Sequence, residues 1–426
     1  MIHTVRTLGE ICEEVGGVIQ TGPFGSQLHQ KDYVENGIPV VMPKDIIDGR
    51  VSSTGIATIS DEDAKRLSRH RLLCGDIVYG RRGDIGRQAL ITETEAGWLC
   101  GTGCLRISLG NTVIEPAFLH YYLRQPQVIA WICSQAIGAT MPNLNTSILQ
   151  SLKVTYPDLP VQRTIAGILL AYDRLIQNNM RRMQILERMA TNLYQEWFVD
   201  FRFPGAESIQ LLPSAIGPKP ENWFVTNAAE ALFISPSTGI AKDKESVFVP
   251  MGSLSQNSMV IEDFEYRIGA SGSKFKNGDT LFARITPCLE NGKTGFVQLL
   301  PSDEDTAAGS TEFIVLRSKS VCPEFAYLMA RSERFRSHAI KSMTGASGRQ
   351  RVQESCFANF FFAHPDHDTI VRFRDIVRPM FTAVQVLYEK TRLLTQTRDL
   401  LIPKVISGEV SLLIENQFIE REQVLV

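Results

Sequence analysis

The sequence predicts an α+β protein made by internal duplication. It should consist of two globular α/β domains separated by two long helices, whose matching apolar stripes favour pairing with each other as a coiled coil. Three observations lead to this prediction. Short motifs recur in the same order in both halves, the first part of each half is rich in short β-branched segments, and the second part carries a long apolar stripe at helical spacing. With 426 residues, of which 44% are hydrophobic, the chain is long enough for several buried cores.

The duplication is visible as four matches between the two halves. Gly75–Arg81 (GDIVYGR) returns as Gly278–Arg284 (GDTLFAR), an offset of 203 positions, and Pro116–Arg124 returns as Pro323–Arg331, an offset of 207. The dipeptides Gly-Ala and Pro-Asp also repeat, at 138 and 345 and at 157 and 365. A repeat of this length is too long for a solenoid, so it indicates a duplicated unit with several parts.

The first part of each half has the pattern of short strands bounded by glycine, aspartate or proline. The predicted strands are Ile38–Met42, Asp76–Tyr79, Leu105–Leu109, Val247–Met251, Thr280–Ala283 and Phe313–Leu316, and a short helix is expected after them at 116–134 and 323–341. The predicted boundaries are a first globule at 1–155, a central helix at 156–202, a second globule at 203–366 that opens with a linker at 203–220, a distal helix at 367–410 and a tail at 411–426.

Apolar residues in both predicted long helices alternate at three- and four-residue spacing, which is typical of a coiled-coil seam. In the central helix they are Ile165, Ile168, Tyr172, Leu175, Leu186, Met189 and Leu193, with the polar Asn179 and Arg182 at the two middle positions. In the distal helix they are Ile370, Phe373, Val377, Met380, Val384, Leu387, Thr391, Leu394 and Leu401. Pro379 should kink or restart the distal helix because it lacks an amide donor. Two unrelated helices, each docked on its own globule, remain the alternative, but the matching registers favour pairing with each other.

Composition narrows the functional classes. The net charge of −2 and the pI near 6.4 argue against a uniformly basic coat for nucleic acid, although they allow local basic patches. No apolar run is long enough to span a bilayer and the N-terminus has no signal-peptide core, so we expect a cytoplasmic protein without a membrane partner. The eight cysteines and seven histidines are dispersed, and we assign them no metal.

Motifs for catalysis are missing from the sequence. There is no Walker A motif, no Pro-Pro dipeptide of the kind that a DNA amino-methyltransferase uses in its base-binding loop, and no nuclease pattern of Pro-Asp followed by acid-x-Lys. We find no pairing of a nucleophile with a base, and therefore predict no catalytic residues.

What remains is binding chemistry in polar, glycine-rich loops. The loop GRRGDIGRQ, at 80–88, follows a predicted strand and brings guanidinium groups and backbone amides to positions that suit phosphates or guanine edges. The candidate DNA-binding residues of the first half are Gln20, Thr21, Ser26, Gln27, Lys31, Arg81, Arg82, Arg87, Thr140 and Asn143. Those of the second half are Lys274, Arg284, Asn291, Lys293, Ser347, Arg349, Gln350 and Arg351. A single basic loop is usually only a solvated surface, but two copies in a chain without catalytic motifs favour DNA reading.

Three stretches carry a family resemblance: GDIVYGRRGDIG at 75–86, GATMPNLN at 138–145, and RDLLIPKVISGEV at 398–410. Through them the chain resembles the specificity subunit of type I restriction–modification systems over essentially its whole length. The resemblance implies that each globule is a target-recognition domain for one half of a bipartite, asymmetric DNA site. It also implies that the two long helices pair as an antiparallel coiled coil and dock the methyltransferase (modification) subunits. Such a pair would give the duplicated chain pseudo-two-fold symmetry, and we expect its length to set the spacer between the half-sites.

The resemblance further implies the partners and cofactors. Double-stranded DNA, two modification subunits and the restriction (translocase and nuclease) subunits are the expected partners. No cofactor is expected on this chain, whereas S-adenosylmethionine, ATP and Mg are expected on the partner subunits. Two alternatives stay open from the residues alone: a fused methyltransferase–specificity enzyme, and a coiled-coil scaffold without DNA readout.

Overall fold

The computed structural model describes residues 3–135, 143–240, 243–269, 271–346 and 348–410. The chain divides into two units. The first unit combines Met1–Leu175 with Leu394–Val426, and the second unit is Ile176–Leu393. Each unit therefore contains one globule together with one end of each long helix.

The first unit contains two four-stranded sheets and an additional strand pair. The main sheet is antiparallel and has the strand order Val18–Thr21, Cys104–Ser108, Ile77–Gly80, Gln88–Leu90. The second sheet has the order Leu99–Cys100, Ile38–Val41, Ala57–Ile59, Tyr33–Val34. The strand pair joins Thr4–Thr7 to Lys153–Tyr156, and a small hairpin joins Ile46–Ile47 to Arg50–Val51. The shorter α-helices are Leu8–Val15, Asp61–Arg66, Pro116–Leu123, Pro126–Gln135 and Thr146–Ser151.

The second unit repeats the main sheet, the strand pair and three strands of the second sheet, whose fourth strand lies at the opposite edge. Its main sheet, again antiparallel, has the order Leu232–Ile234, Phe313–Ser318, Thr280–Ala283, Thr294–Phe296. Its second sheet has the order Glu265–Ile268, Glu245–Val249, Ala307–Gly309, Ser273–Phe275, and its strand pair joins Phe224–Asn227 to Phe361–His364. A short pair joins Leu211–Leu212 to Lys219–Pro220, and the shorter α-helices are Ala228–Ala231, Pro323–Arg331 and Glu333–Lys341. The predicted duplication and the six predicted strands are confirmed, while each predicted short helix is a pair of helices.

The repeated Gly-Asp turn shows why both halves fold alike. Gly75 and Gly278 have φ values of 88° and 84°, a left-handed conformation that favours glycine. The carboxylates of Asp76 and Asp279 accept the backbone N–H three residues earlier, both at 2.8 Å. Arg317 also binds Asp279 at 2.7 Å, so this buried carboxylate is paired. The motif therefore fixes the turn that leads into the central strands of each main sheet.

The two long helices are confirmed. The central helix is Leu159–Tyr194, continued by a π-helical turn at Gln195–Val199, and the distal helix is His367–Ser407. The distal helix does not restart at Pro379. The amide that proline lacks would have bonded to the carbonyl of Asp375, and both residues are exposed, so water can satisfy that carbonyl.

The antiparallel pairing is seen inside each unit. In the first unit, Ile165 and Leu169 from the start of the central helix share a core with Ile402 and Val405 from the end of the distal helix. In the second unit the opposite ends meet, because Ala190 and Tyr194 share a core with Phe373, Val377 and Phe381. Opposite ends of two helices can share cores in this way only if the helices run antiparallel.

The predicted seam of the central helix is correct towards its ends, where Ile165 and Leu193 contribute to the two cores, but wrong at Leu175 and Met189, which are 54% and 46% exposed. That of the distal helix is largely buried as expected. Buried side chains that the predicted seam left out include Leu169, Asp173 and Ala190. The error has a physical cause: Asp173 lies on the buried stripe, and a charged residue is not expected there unless a partner neutralises it.

Among the described residues, no helix is both long and apolar enough to cross a membrane.

Candidate nucleic-acid interface

In the first unit, four loops meet where the main-sheet strand Ile77–Gly80 ends. Backbone hydrogen bonds connect Gly22 to Cys104 at 2.9 Å and Arg81 to Gly103 at 2.8 Å. The Thr102 hydroxyl donates to the carbonyl of Pro23 at 3.0 Å. A Cβ atom on Gly22 would lie 2.1 Å from the carbonyl oxygen of Gly101, so only glycine permits this approach. We call the loops at 22–24, 80–87, 101–103 and 143–144 the first loop cluster.

Arg81 is held inside this cluster. Its backbone carbonyl accepts the N–H of Leu144 at 3.0 Å, while its guanidinium Nε lies 3.0 Å from both the Leu144 carbonyl and the Asn143 side-chain oxygen. Burial, together with the neighbouring positive charge of Arg82, lowers the pKa of Arg81. The guanidinium therefore ties the strand end to the segment that begins at 143.

The other two arginines of the loop behave differently. Arg87 pairs with Asp84 at 2.7 Å, and both side chains are exposed. Arg82 is exposed as well, and within the described part of the chain its side chain makes no hydrogen bond or ion pair. Its backbone forms an antiparallel bridge with Asn143. The sequence places three similar arginines in one loop, whereas the structure leaves one of them free for a ligand.

The second unit contains a corresponding loop cluster, formed by 284–293, 310–312, 344–346 and 348–354. The N–H of Arg284 donates to the carbonyl of Glu312 at 3.0 Å, and its carbonyl accepts the N–H of Val352 at 2.9 Å. Its guanidinium Nη2 donates back to the carbonyl of Val352 at 2.9 Å. Arg284 and Val352 occupy the positions that Arg81 and Leu144 occupy in the first unit.

Acidic residues neutralise more of the second loop cluster. Arg351 forms a two-pronged ion pair with Glu312, with the shortest distance at 2.7 Å, and this hydrogen bond lowers the pKa of Glu312. The ammonium of Lys293 donates to the carbonyl of Met251 at 3.1 Å. Arg349 is exposed, and among the described residues no side-chain partner is found for it. No sequence pattern pointed to Glu312, because its pairing depends on a residue 39 positions away.

The remaining candidate residues are more scattered. The Gln20 side chain donates to the carbonyl of Arg69, and that of Gln27 accepts the N–H of Phe24 within its own turn. Thr21 lies in a main-sheet strand and Gln350 in the second loop cluster, where its carbonyl accepts the N–H of Thr286. Ser26, Lys31 and Asn291 are exposed, and Lys274 lies half-buried in a strand of the second sheet. Thr140 and Ser347 lie outside the described residues.

A buried ion pair in the first unit lies outside every candidate site. Asp173 on the central helix accepts hydrogen bonds from Arg398 on the distal helix and from the Tyr121 hydroxyl, both at 2.6 Å. Arg398 is 1% exposed and Asp173 4% exposed. Burial opposes the charge on Asp173, but the hydrogen bonds from Tyr121 and Arg398 outweigh it, so the pKa of the carboxyl lies below its ordinary value. This cluster fixes both helices to the first globule.

In the second unit, the positions that correspond to this cluster hold apolar residues. The Pro-Asp match aligns the two long helices, so that Phe381 corresponds to Asp173 and Ala190 to Arg398. The match of Pro116 with Pro323 makes Leu328 correspond to Tyr121. All three belong to the buried core of the second unit. In the described ranges, which omit residues such as 136–142, no group of three His, Cys, Asp or Glu side chains is placed to hold a metal ion.

Comparisons with known proteins agree with this architecture. Residues 3–188 match the family model described as the type I restriction modification DNA specificity domain. The chain is 21% identical to the type I restriction enzyme MjaIX specificity subunit of Methanocaldococcus jannaschii, over 95% of this chain and 93% of that one. It is 27% identical to the putative MjaX specificity subunit of the same organism, over 57% of each chain.

A solved structure has the same fold. The crystal structure of the type I restriction–modification S subunit from M. genitalium aligns with a TM-score of 0.57 at 13% identity, covering 95% of this chain and 96% of that one. Together with the family model and the curated relatives, it confirms the resemblance that the sequence motifs indicated.

Proposed function

We propose that this chain is the DNA-recognition subunit of a type I restriction–modification complex, since residues 3–188 match the family model of the type I restriction modification DNA specificity domain. One observation supports this most strongly: each unit presents a loop cluster at the end of the same main-sheet strand, and each cluster carries an exposed, unpaired arginine within the described residues. Arginine in this state is suited to phosphates and to guanine edges.

The duplication suggests how the DNA is read. Each unit has its own core and its own loop cluster, so each reads one half of a bipartite site. The clusters differ in sequence, as Arg82 and Ile285 at matched positions illustrate, and therefore the two half-sites differ. The paired helices set the unread spacer between them.

Catalysis belongs to partner subunits in this proposal. Modification subunits, two per chain, carry S-adenosylmethionine, and restriction subunits carry ATP and Mg. This chain contributes recognition and a docking surface, which is consistent with the absence of catalytic motifs from its sequence.

The decisive experiment is methylome sequencing of a host that expresses this chain with its cognate modification subunit. We expect one bipartite, asymmetric methylated motif that disappears when this chain is omitted. Replacing the first globule with that of a relative should change one half of the motif and leave the other intact. Methylation that is independent of this chain, or methyl transfer by the purified chain alone, would refute the proposal. Native mass spectrometry of the complex should give two modification subunits per chain.

A further inference from the structure

The two loop clusters share one arrangement that is independent of their other side chains. In each, an arginine at the end of the central main-sheet strand is bonded through its N–H, its carbonyl and its guanidinium. For Arg81 the guanidinium acceptor is the carbonyl of Leu144, and for Arg284 it is the carbonyl of Val352. The two arginines, from different segments of the sequence, thus donate to carbonyls at equivalent positions in their units.

The positions next to this arrangement vary between the units. The residue after the arginine is Arg82 in one unit and Ile285 in the other, and each forms a backbone bridge to the segment that precedes the acceptor. The bridge partners are Asn143 and Arg351. A constant arginine beside variable neighbours is the pattern expected when one residue holds a loop and the others contact its ligand.

We propose that Arg81 and Arg284 are positioning residues of the two loop clusters, and that the DNA contact in the first unit is made by Arg82. This inference rests on the proposed function, because it assigns roles within the same DNA-reading surface. Arg81 and Arg284 each donate to a backbone carbonyl, and so hold the segments at 143–144 and 351–352 against the strand end. No acceptor for the side-chain donors of Arg82 is found among the described residues, so these donors are left for phosphate oxygens or a base edge.

The charge of Arg81 and its hydrogen bond make separable contributions. Arg81→Gln removes the charge but keeps an amide donor for the carbonyl of Leu144, whereas Arg81→Ala removes both. A positioning role needs only the donor, while a phosphate contact needs the charge. Arg284 donates to Val352 through its terminal Nη2, which the shorter glutamine amide would not reach, so Arg284→Ala alone is used in the second unit.

The test measures DNA affinity of the complete complex of this chain with its modification subunits, as a function of salt. We expect Arg82→Ala to weaken binding by about 5- to 150-fold, and either to lower the salt slope by about one or to relax one base position. Arg81→Gln should stay within about threefold of wild type with an unchanged salt slope, whereas Arg81→Ala should weaken binding about tenfold, also with an unchanged slope. If Arg81→Ala fails to fold, Arg81→Gln alone still decides the question.

The second unit gives an independent reading of the same experiment. Arg284→Ala should degrade recognition of the half-site that Arg81→Ala leaves intact. The inference is overturned if Arg81→Gln loses a unit of salt slope, if Arg81→Gln behaves like Arg81→Ala, or if Arg82→Ala binds like wild type. A wild-type complex that methylates no specific sequence would instead refute the proposed function, so the two failures are distinguishable.

Discussion

Arg398→Ala should be the most destabilising single change among the ion pairs of the two long helices. The guanidinium is 1% exposed and donates to Asp173 at 2.6 Å, with Asp399 at 2.8 Å as a second partner. Its removal leaves the carboxylate of Asp173, itself 4% exposed, with the Tyr121 hydroxyl at 2.6 Å and the guanidinium of Arg50 at 3.9 Å. Breaking a buried pair in this way costs about 3–5 kcal/mol, because the buried carboxylate loses its closest cationic partner.

The distal helix offers a matched control. Arg392 pairs with Glu389 at 3.1 Å, but these two side chains are 49% and 43% exposed. Arg392→Ala should therefore cost no more than about 1 kcal/mol. Urea unfolding would measure both changes, and hydrogen exchange of individual peptides would assign the loss for Arg398→Ala to the first unit.

The second unit supplies a way to repair the damage. The triple change Asp173→Phe, Arg398→Ala and Tyr121→Leu installs the residues found at Phe381, Ala190 and Leu328. Well-packed apolar residues often match or exceed a buried ion pair, so the triple variant should regain most of the stability that Arg398→Ala loses. The reasoning would be refuted if Arg398→Ala proved as mild as Arg392→Ala, since the carboxylate would then not depend on its partner.

Three further predictions test other features of the fold. Burial lowers the pKa of His120 to about 3, so below pH 6.5 the imidazole takes up a proton in the unfolded chain but not in the folded one. The free energy of unfolding should therefore fall by up to about 1.4 kcal/mol for each pH unit below 6.5. Acid unfolding of the His120→Gln variant should lack this contribution, whereas the variant His29→Gln, at an exposed histidine, should retain it. Gly272→Ala should lower the free energy of unfolding by about 3 kcal/mol or more in urea, because the added Cβ would lie 1.9 Å from a backbone oxygen and the residue has a φ of +122°. The control Gly252→Ala should be nearly neutral, because its added Cβ would have no atom within 4 Å. Inserting four residues near Asn179 and four at the facing position of the distal helix should lengthen the spacer of the methylated motif by one or two base pairs without changing either half-site. An unchanged spacer in an active variant would show that the helices do not set the spacer length.

Much of the architecture was predictable because its signals are local. The Gly-Asp turn needs one residue with positive φ and one carboxylate that binds its own loop, and both lie within four residues of sequence. The strand that follows it, Thr280–Ala283, was predicted to the residue. The long helices were equally predictable, since an apolar stripe that keeps helical spacing over about ten turns indicates a helix by its period alone.

The sequence alone determined the duplication and the strand and helix types, because these follow from short-range pattern and from the order of repeated motifs. Only the tertiary structure decided which charged residues are free. Arg81 and Arg82 are neighbours of the same type, yet Arg81 is held by Leu144, 63 positions away, and Arg82 is not. Likewise, Asp173 belongs to the buried face only because Arg398 approaches it from 225 positions away. A side chain's partner is set by which distant segments the fold brings within hydrogen-bonding distance, and no local pattern contains that information.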